Sequence, residues 1–253
     1  MLFDASLLGL LFVGGFWAGA QNALAGGGSF VTLPILMLTG LDARIANLTS
    51  TVALFPGQVL AAFQGRNMLS EAMTGSPRTV TLFTTINVAG GVTGAGLLLA
   101  TPSAVFANFV PWLVLFATCL FIASGFEGHR RAVPRSHRPI LYGAAQFLIA
   151  TYGGYFGGGN GFLVLAALSL AGLAARNAAA LKNVSLALIN TAAALLFLIS
   201  ARAELGRAAV VGAGALLGGM AGVWVLRRID ERILRAAVAA IGLALTAWLF
   251  SVD

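Results

Sequence analysis

Two clusters of glycine lie in otherwise apolar stretches of this sequence, at residues 26–28 and 157–161. In hydrocarbon every backbone donor and acceptor must be satisfied, so adjacent glycines favour irregular backbone that lines a cavity. A helix that begins at such a break presents unpaired N–H groups and the positive end of its dipole, which together suit an anion. Neither cluster follows a strand or precedes Lys-Ser/Thr, so a nucleotide-binding loop is not indicated. The clusters therefore predict an anion site.

Polar side chains follow each cluster at matching distances: Thr49 and Ser50 after the first, Lys182 and Asn183 after the second. Lys182 is the single lysine and lies about one turn inside an apolar run, where a charge is costly and marks a functional candidate. The alternative is that its stem snorkels to the cytoplasmic headgroups. The predicted substrate-binding residues are Asn22, Gly26, Gly27, Gly28, Ser29, Thr49, Ser50, Gly158, Gly159, Asn160, Lys182 and Asn183.

The acidic residues and both histidines fall in connectors or at the ends of the chain. Proton relays in membranes usually carry a buried carboxylate or histidine, and none is apparent in this sequence. Neither a catalytic constellation nor a cluster of metal ligands can be assembled. The lone Cys119 excludes an intramolecular disulfide and a paired-thiol relay. The sequence thus predicts no enzyme, no cofactor and no metal site.

Composition indicates which elements must position these residues. The chain has 253 residues, of which 59% are apolar and 9% charged, with a mean hydropathy of +0.93. Apolar runs close to the roughly 20 residues that span a bilayer recur throughout. They predict an all-α polytopic protein of the bacterial inner membrane, with the first run retained as a helix. The net charge of +7 resides in short connectors, which favours positive-inside bias and not nucleic-acid binding.

The apolar runs form two equivalent halves. Residues 26–46 and 158–178 agree at 11 of 21 positions without a gap, so adding 132 to a number gives its equivalent. We predict a first transmembrane repeat at 1–126, a central cytoplasmic loop at 127–139 and a second repeat at 140–253. Each repeat has four full helices and one short or broken segment. The runs are 5–25, 28–41, 45–65, 79–100, 104–126, 140–156, 159–173, 177–200, 208–226 and 233–251.

The short second run of each half, at 28–41 and 159–173, either re-enters, leaving eight crossings, or crosses, giving ten. With eight crossings the basic residues divide 8 against 7 between the two faces, whereas with ten they divide 12 against 3. The positive-inside rule favours ten, with Arg44, Arg202 and Arg207 on the outer face. Because five segments per half is an odd number, the sequence predicts inverted repeats, as in many secondary transporters.

Other conspicuous residues have structural interpretations. Glycines at four-residue spacing, beginning at Gly90 and at Gly214, are typical of close helix packing. Arg44 and Arg176 are equivalent residues in short turns between segments. They either anchor the chain at the membrane interface or close the site from opposite faces, and both interpretations are kept.

The chain resembles the sulfite exporter TauE/SafE family, which also includes 4-toluenesulfonate uptake permeases, over nearly its whole length. The resemblance is most specific at residues 26–28 followed by Pro34, Gly40, Ala46 and Thr49-Ser50, and at 157–159 followed by Gly172, Ala178 and Asn190. It implies an integral membrane protein that moves sulfite, sulfoacetate or other sulfonates. The sequence departs from the pattern at Ala166, which matches Pro34, and at Leu181-Lys182, which replace Thr-Ser and add a charge.

Together these features predict a secondary transporter, a permease or exporter, that moves a small anion, sulfite or an organosulfonate, across the bacterial inner membrane. In this hypothesis the glycine breaks face each other near the midplane, and one bundle rocks against the other. The first alternative is a channel-like facilitative anion pore. The second is a non-transport membrane assembly factor, against which the lone Cys119 argues. Coupled protons and a homo-oligomer are compatible with the sequence, the lipid bilayer is an expected partner, and nucleic acid is not.

Overall fold

The computed structural model describes residues 5–24, 26–65, 77–125, 139–170, 173, 175–226 and 231–251. Within these ranges the regular structure is α-helical. The helices are α1 (Ala5–Leu24), α2 (Ser29–Leu38), α3 (Ala43–Gly65), α4 (Pro77–Ala100), α5 (Ser103–Gly125), α6 (Pro139–Tyr155), α7 (Asn160–Leu170), α8 (Ala175–Ile199), α9 (Leu205–Leu226) and α10 (Glu231–Ser251). Each corresponds to one predicted apolar run, and the ends differ by three residues at most. The predicted all-α class is confirmed.

Local signals in the sequence set several helix ends. Asp42 precedes α3, and its Oδ1 accepts hydrogen bonds from the amides of Arg44 and Ile45 at 3.0 and 3.1 Å, as an N-cap does. Helices α4 and α6 each begin at a proline, where the missing N–H has no partner to lose. Gly40, with φ +88°, follows α2 in the left-handed conformation that commonly ends a helix.

Several helices are long and apolar enough to cross a membrane. In the described part of the chain there are four: Ala43–Phe63, Pro77–Ala100, Ser103–Ala123 and Asn177–Ile199. Lengths of 21 to 24 residues correspond to about 32–36 Å, enough for a hydrocarbon core of roughly 30 Å. Large apolar side chains such as Phe109, Trp112 and Phe116 are exposed on α5, where lipid can cover them. The chain is a multi-pass integral membrane protein, as predicted.

Helices α1 and α2 form an antiparallel hairpin with a buried tip. Ile35 of α2 packs against Gly14 of α1, whereas Gly28, just before α2, lies next to Ala18. Helices α2 and α7 have 10 and 11 residues, or about 15 and 16 Å, half of the roughly 30 Å hydrocarbon core. The short segments therefore do not cross in full. The assignment of the loops to the two faces, which the ten-segment arrangement gives, stays a prediction.

The packing of the helices repeats between the two halves. The equivalent pairs are α1 and α6, α2 and α7, α3 and α8, α4 and α9, and α5 and α10. Helix α1 packs on α9 as α6 packs on α4, and α3 packs on α9 as α8 packs on α4. Helices α3 and α8 pack on each other, and so do α5 and α10. The amide of Asn190 donates to its own equivalent, Gln58 Oε1, at 2.7 Å.

Glycines allow the α1–α9 and α4–α6 pairs to approach closely. A Cβ atom at Gly19 would lie 1.9 Å from the carbonyl oxygen of Ala215, and one at Gly94 would lie 2.0 Å from that of Thr151. Such distances leave no room for any side chain. The structure thus gives the four-residue glycine stripes the packing role that the sequence indicates.

Helices α3 and α8 run antiparallel. Thr49, near the start of α3, accepts a hydrogen bond at 3.1 Å from the amide of Glu204, which lies beyond the end of α8. Arg44 and Arg202 both donate to the carbonyl oxygen of Leu99 at the end of α4, so they share one face, as the ten-segment assignment predicts. In the eight-crossing alternative they would lie on opposite faces. Antiparallel packing of equivalent helices supports inverted repeats, which remain a prediction.

The predicted division of the chain rests partly on residues that the structure does not cover. The central loop at 127–139 lies outside the described residues except for Pro139, with which α6 begins. The boundaries of the two repeats therefore stay predictions. Their internal order, with a long helix, a short helix and three long helices in each half, matches the helices that are described.

Candidate functional site

The two glycine clusters lie against each other. A Cβ atom at Gly26 would be 3.5 Å from the Cα of Gly161, and one at Gly27 would be 3.3 Å from the ring of Phe162. In the reverse direction, a Cβ at Gly159 would be 3.3 Å from the ring of Phe30. All six residues are buried. The tips of the two hairpins thus meet inside the molecule, at the level where each short helix begins.

The first break, between α1 and α2, is closed by side chains of α1. The Oδ1 of Asn22 accepts a hydrogen bond from the amide of Gly28 at 3.2 Å, and Gln21 Nε2 donates to the carbonyl of Gly27 at 3.1 Å. The amide of Gly26 donates to the carbonyl of Gln21 at 3.3 Å. Gln21 and Asn22 therefore pair the amides of Gly26 and Gly28, as capping groups do at a helix N-terminus.

The second break, between α6 and α7, has the opposite character. Gly157 and Gly159 have φ values of +74° and +73°, and Gly158 between them does not adopt a positive φ. Gly158 and Gly159 are buried, yet within the described ranges no group accepts a hydrogen bond from their amides. Buried unpaired N–H groups are rare in proteins, and alternating backbone of this kind often forms an anion-binding concavity.

Asn160, the first residue of α7, adds a third donor at the second break. Its side chain is 3% exposed, and its Nδ2 atom has no hydrogen-bond partner among the described residues. A Cβ atom at Gly153 of α6 would lie 2.6 Å from this Nδ2. The amide therefore occupies the space that a side chain on α6 would need.

Hydroxyl groups border the junction of the two breaks. A Cβ atom at Gly157 would lie 3.5 Å from Thr51 Oγ1 and 3.9 Å from Ser29 Oγ. Ser50, one residue before Thr51, is paired with Thr32 of α2, with 2.5 Å between the two hydroxyl oxygens. Ser29 thus lies at the junction, whereas Ser50 links α3 to α2 beside it.

Two of the predicted residues are not brought to the glycine junction by any contact. Thr49 uses its hydroxyl to accept from the amide of Glu204, at the end of α8, so its role there is to hold the connection between α8 and α9. Asn183 is partly exposed and makes no hydrogen bond within the described part of the chain.

Lys182 lies on α8, seven residues after its first residue, or about 10 Å along the helix. This is deeper than the single turn that the sequence indicates. The side chain is 3% exposed, and no described residue forms a hydrogen bond or ion pair with it. Its equivalent, Ser50, has the hydroxyl of Thr32 as partner, but the equivalent of Thr32 is the buried Val164. Lys182 is therefore buried at a position where the repeat supplies no equivalent hydroxyl partner.

Arg44 has a structural role that the two sequence interpretations did not include. The buried guanidinium donates to the carbonyl oxygens of Leu98 at 3.1 Å and Leu99 at 2.5 Å, the last carbonyls of α4. A cation at this position complements the negative end of the helix dipole. That Arg44 also closes the site stays a prediction. The side chain of Arg176 lies outside the described residues.

A cluster of three polar side chains joins α4, α6 and α8 in the second half of the site region. Gln146 Nε2 donates to Asn87 Oδ1 and to Ser185 Oγ, each at 2.9 Å, and Ser185 Oγ donates to Asn87 Oδ1. All three are buried. Sequence analysis missed Asn87 and Gln146, although an isolated amide within an apolar run is a signal that could have identified them.

Metal chemistry finds no support among the residues that the structure covers. No group of three or more His, Cys, Asp or Glu side chains in those ranges could hold a metal ion. Cys119 lies exposed on α5. What the region does offer is a set of buried donors: backbone amides, a carboxamide and an ammonium.

Buried polar groups at broken helices, inside a bundle that spans the membrane, define a membrane transport protein as the class. The chain matches the family described as "Sulfite exporter TauE/SafE" over residues 11–249. It belongs to this family, as the resemblance in the sequence implies. The match covers all ten helices except for short parts of the first and the last.

Similar proteins from other bacteria are described as membrane transporters. The chain is 26% identical over 242 residues to a "Probable membrane transporter protein" of Haemophilus influenzae, covering 95% of this chain and 93% of the relative. It is 27% identical over 249 residues to "Probable membrane transporter protein YfcA" of Escherichia coli K12, covering 95% and 88%. A third relative, "Probable membrane transporter protein ORF9" of Sinorhizobium sp, is 29% identical over 182 residues, or 69% and 66%. Family and relatives indicate a membrane transporter.

Proposed function

We propose that this transporter moves a small oxygen-rich anion, sulfite or an organosulfonate, by secondary transport across the bacterial inner membrane. The observation that carries the proposal is Lys182. It is 3% exposed, it lies about two turns inside α8, and within the described ranges it has no acidic partner. An anionic substrate is the partner that this charge lacks.

The cost of burying a charge supports this assignment. A buried cation without a partner is strongly unfavourable, and such groups in transmembrane segments mark substrate pathways. The first half shows that the scaffold does not need the charge, because Ser50 occupies the same place with a hydroxyl partner, Thr32. A lysine retained in an apolar environment is best explained by what it binds.

The arrangement of the helices supports alternating access. The tips of the two hairpins face each other. The equivalent helices α3 and α8, one from each half, pack antiparallel. Rocking of one half against the other would expose the same donors first to one side and then to the other. On the outer face, Arg44 and Arg202 join α3 and the α8–α9 connection to the end of α4, which keeps that end closed in this conformation.

The test is uptake into proteoliposomes of radiolabelled sulfite and methanesulfonate, with sulfate and acetate for comparison. We expect saturable uptake of at least one sulfur oxyanion and a loss of about 30-fold or more in Lys182→Gln, because removing one partner of a buried ionic contact costs 2–5 kcal/mol or more. Arg78→Gln is the matched control: it removes the same charge from an exposed residue at the start of α4. It should transport like the wild type.

Two outcomes would contradict the proposal. Uptake in Lys182→Gln equal to that in Arg78→Gln would show that the lysine only anchors the helix. Uptake that never saturates, and that is not accelerated by unlabelled anion inside the vesicles, would identify a pore. Accelerated exchange by internal anion is the expected result, because an alternating carrier returns faster when loaded than when empty.

A further inference from the structure

We propose that the anion binds at the N-terminus of α7, held by the amides of Gly158 and Gly159 and by Nδ2 of Asn160, and that the equivalent end of α2 is a structural element. This inference rests on the proposed function. It assigns the subsite to one of two breaks that the sequence presents as equivalent. It also separates Asn22 from Asn160, which sequence analysis placed in the same candidate site.

The N-terminus of α2 is capped by two side chains of α1. Asn22 Oδ1 accepts from the amide of Gly28, and Gln21 Nε2 donates to the carbonyl of Gly27. The unpaired Oε1 of Gln21 is a buried acceptor at the same break, and an acceptor disfavours an anion there. An anion could reach the amide of Gly28 only by displacing a hydrogen bond that already exists.

The N-terminus of α7 lacks both of these side chains. The residues equivalent to Gln21 and Asn22 are Gly153 and Gly154, which carry no side chain with which to cap the break. Gly154 packs directly on the backbone of Gly91, because a Cβ atom there would lie 2.3 Å from the Gly91 carbonyl oxygen. The second break therefore has no side-chain cap from α6, where the first break has two from α1.

Three donors at the second break have no acceptor in the described residues. Two are the buried amides of Gly158 and Gly159, and the third is Nδ2 of Asn160, whose side chain is 3% exposed. The dipole of the 11-residue α7 adds partial positive charge at the same place. Unpaired buried donors without a carboxylate beside them fit the oxygens of a small anion and repel a cation.

The carbonyl side of the second break is already paired, which gives the subsite a direction. Tyr152 donates its hydroxyl to the carbonyl oxygen of Gly158 at 2.9 Å. The carbonyl oxygen of Gly158 therefore points toward the tyrosine. The amide of Gly159, which belongs to the same trans peptide group, points the opposite way. The arrangement selects for acceptor atoms on the ligand, as a sulfite or sulfonate group has.

The experiment compares the two breaks in purified protein, using sodium sulfite and sodium methanesulfonate as probes and calorimetry to measure Kd. Asn160→Ala should weaken binding of both probes about tenfold or more, because hydrogen bonds to charged groups contribute 1.5–3 kcal/mol. Asn160→Asp replaces the donor by a negative charge of the same shape and should weaken binding about 100-fold. Asn22→Ala is the matched variant at the first break. It should lower Tm, because it removes a helix cap, but it should weaken binding of the probes less than about threefold.

The outcomes separate this inference from the proposed function. Equal weakening in Asn22→Ala and Asn160→Ala, or a larger effect in the former, would overturn the assignment to α7 and leave the transporter proposal in place. Wild-type protein that binds neither probe, and transports neither in vesicles, would overturn both. If Asn160→Asp is not monodisperse on gel filtration, Asn160→Ser replaces it, with an expected loss close to that of Asn160→Ala.

Discussion

The two halves of this protein share a scaffold but differ in how their buried polar groups are paired. In the first half, Ser50 pairs with Thr32, and Asn22 caps the start of α2. In the second half, Lys182 has no partner among the described residues, and Asn160 leaves a donor free. The unpaired buried side-chain atoms of the first half are oxygens, of Gln21, Asn47 and Thr118, whereas the second half leaves a carboxamide nitrogen unpaired.

A second difference between the halves concerns helix contacts beside the site. Gln146 and Ser185 of the second half form a buried hydrogen-bonded cluster with Asn87 of the first half. The residues equivalent to Gln146 and Ser185 in the first half are Gly14 and Ala53, which pack without polar contacts. The two halves thus share the helix arrangement but not the polar contacts within it.

The largest expected effect comes from making the second half resemble the first. The double variant Lys182→Ser with Val164→Thr reproduces the Ser50–Thr32 pair in α8 and α7. Transport in proteoliposomes should fall to the level of empty vesicles, while Tm in detergent stays the same or rises. Replacing a buried charge by satisfied neutral groups is often neutral or stabilising. Retained uptake in a folded double variant would show that the asymmetry has no functional meaning.

A smaller effect tests whether the two halves are equivalent as scaffolds. In Gly19→Ala and Gly94→Ala the new Cβ would lie 1.9 and 2.0 Å from a backbone oxygen of the neighbouring helix. Each should cost about 1–3 kcal/mol of stability through overpacking, seen as a similar fall in Tm for both. Gly96→Ala is the control, since its Cβ would have nothing within 4 Å.

The control also has a direction. Because alanine is favoured over glycine inside a helix by about 0.5–1 kcal/mol, Gly96→Ala should leave Tm unchanged or slightly higher. If Gly19→Ala has the same Tm as Gly96→Ala, the α1–α9 pair is looser than its equivalent, the α4–α6 pair. The two halves would then not be equivalent as scaffolds.

The smallest expected effect concerns the polar cluster. Ser185→Ala removes one donor to Asn87 but leaves the bond from Gln146, so the loss should be about 1 kcal/mol. The equivalent variant, Ala53→Ser, adds a hydroxyl that can bond to the preceding turn of α3 and should change Tm by less. Loss of transport without loss of Tm in Ser185→Ala would show that the cluster belongs to the transport pathway and is not only structural.

Helix positions could be read from the sequence because each helix is a long apolar run with local stop signals. Asp42 before α3 and Gly40 after α2 are examples. Hydrogen-bond partners were harder to predict, since they depend on which helices meet. Gln21 and Asn22 are neighbours in the sequence, yet only the packed hairpin shows that both are used to close the first break. The hydrogen bond from the amide of Glu204 to Thr49 likewise joins residues 155 apart in the chain, so no local pattern predicts it.

By itself, the sequence determined the membrane class, the duplication, the helices and the breaks, because hydrophobicity, repeat register and glycine content are local properties of the chain. It also marked Lys182, since a single lysine in an apolar run is costly wherever the run packs. Only the tertiary structure decided which break is capped by side chains and which is not. Whether a buried donor finds an acceptor depends on atoms that are far apart in the chain. At equivalent positions of the two repeats, the first has Asn22 and the second has Gly154, although the helices around them are arranged alike.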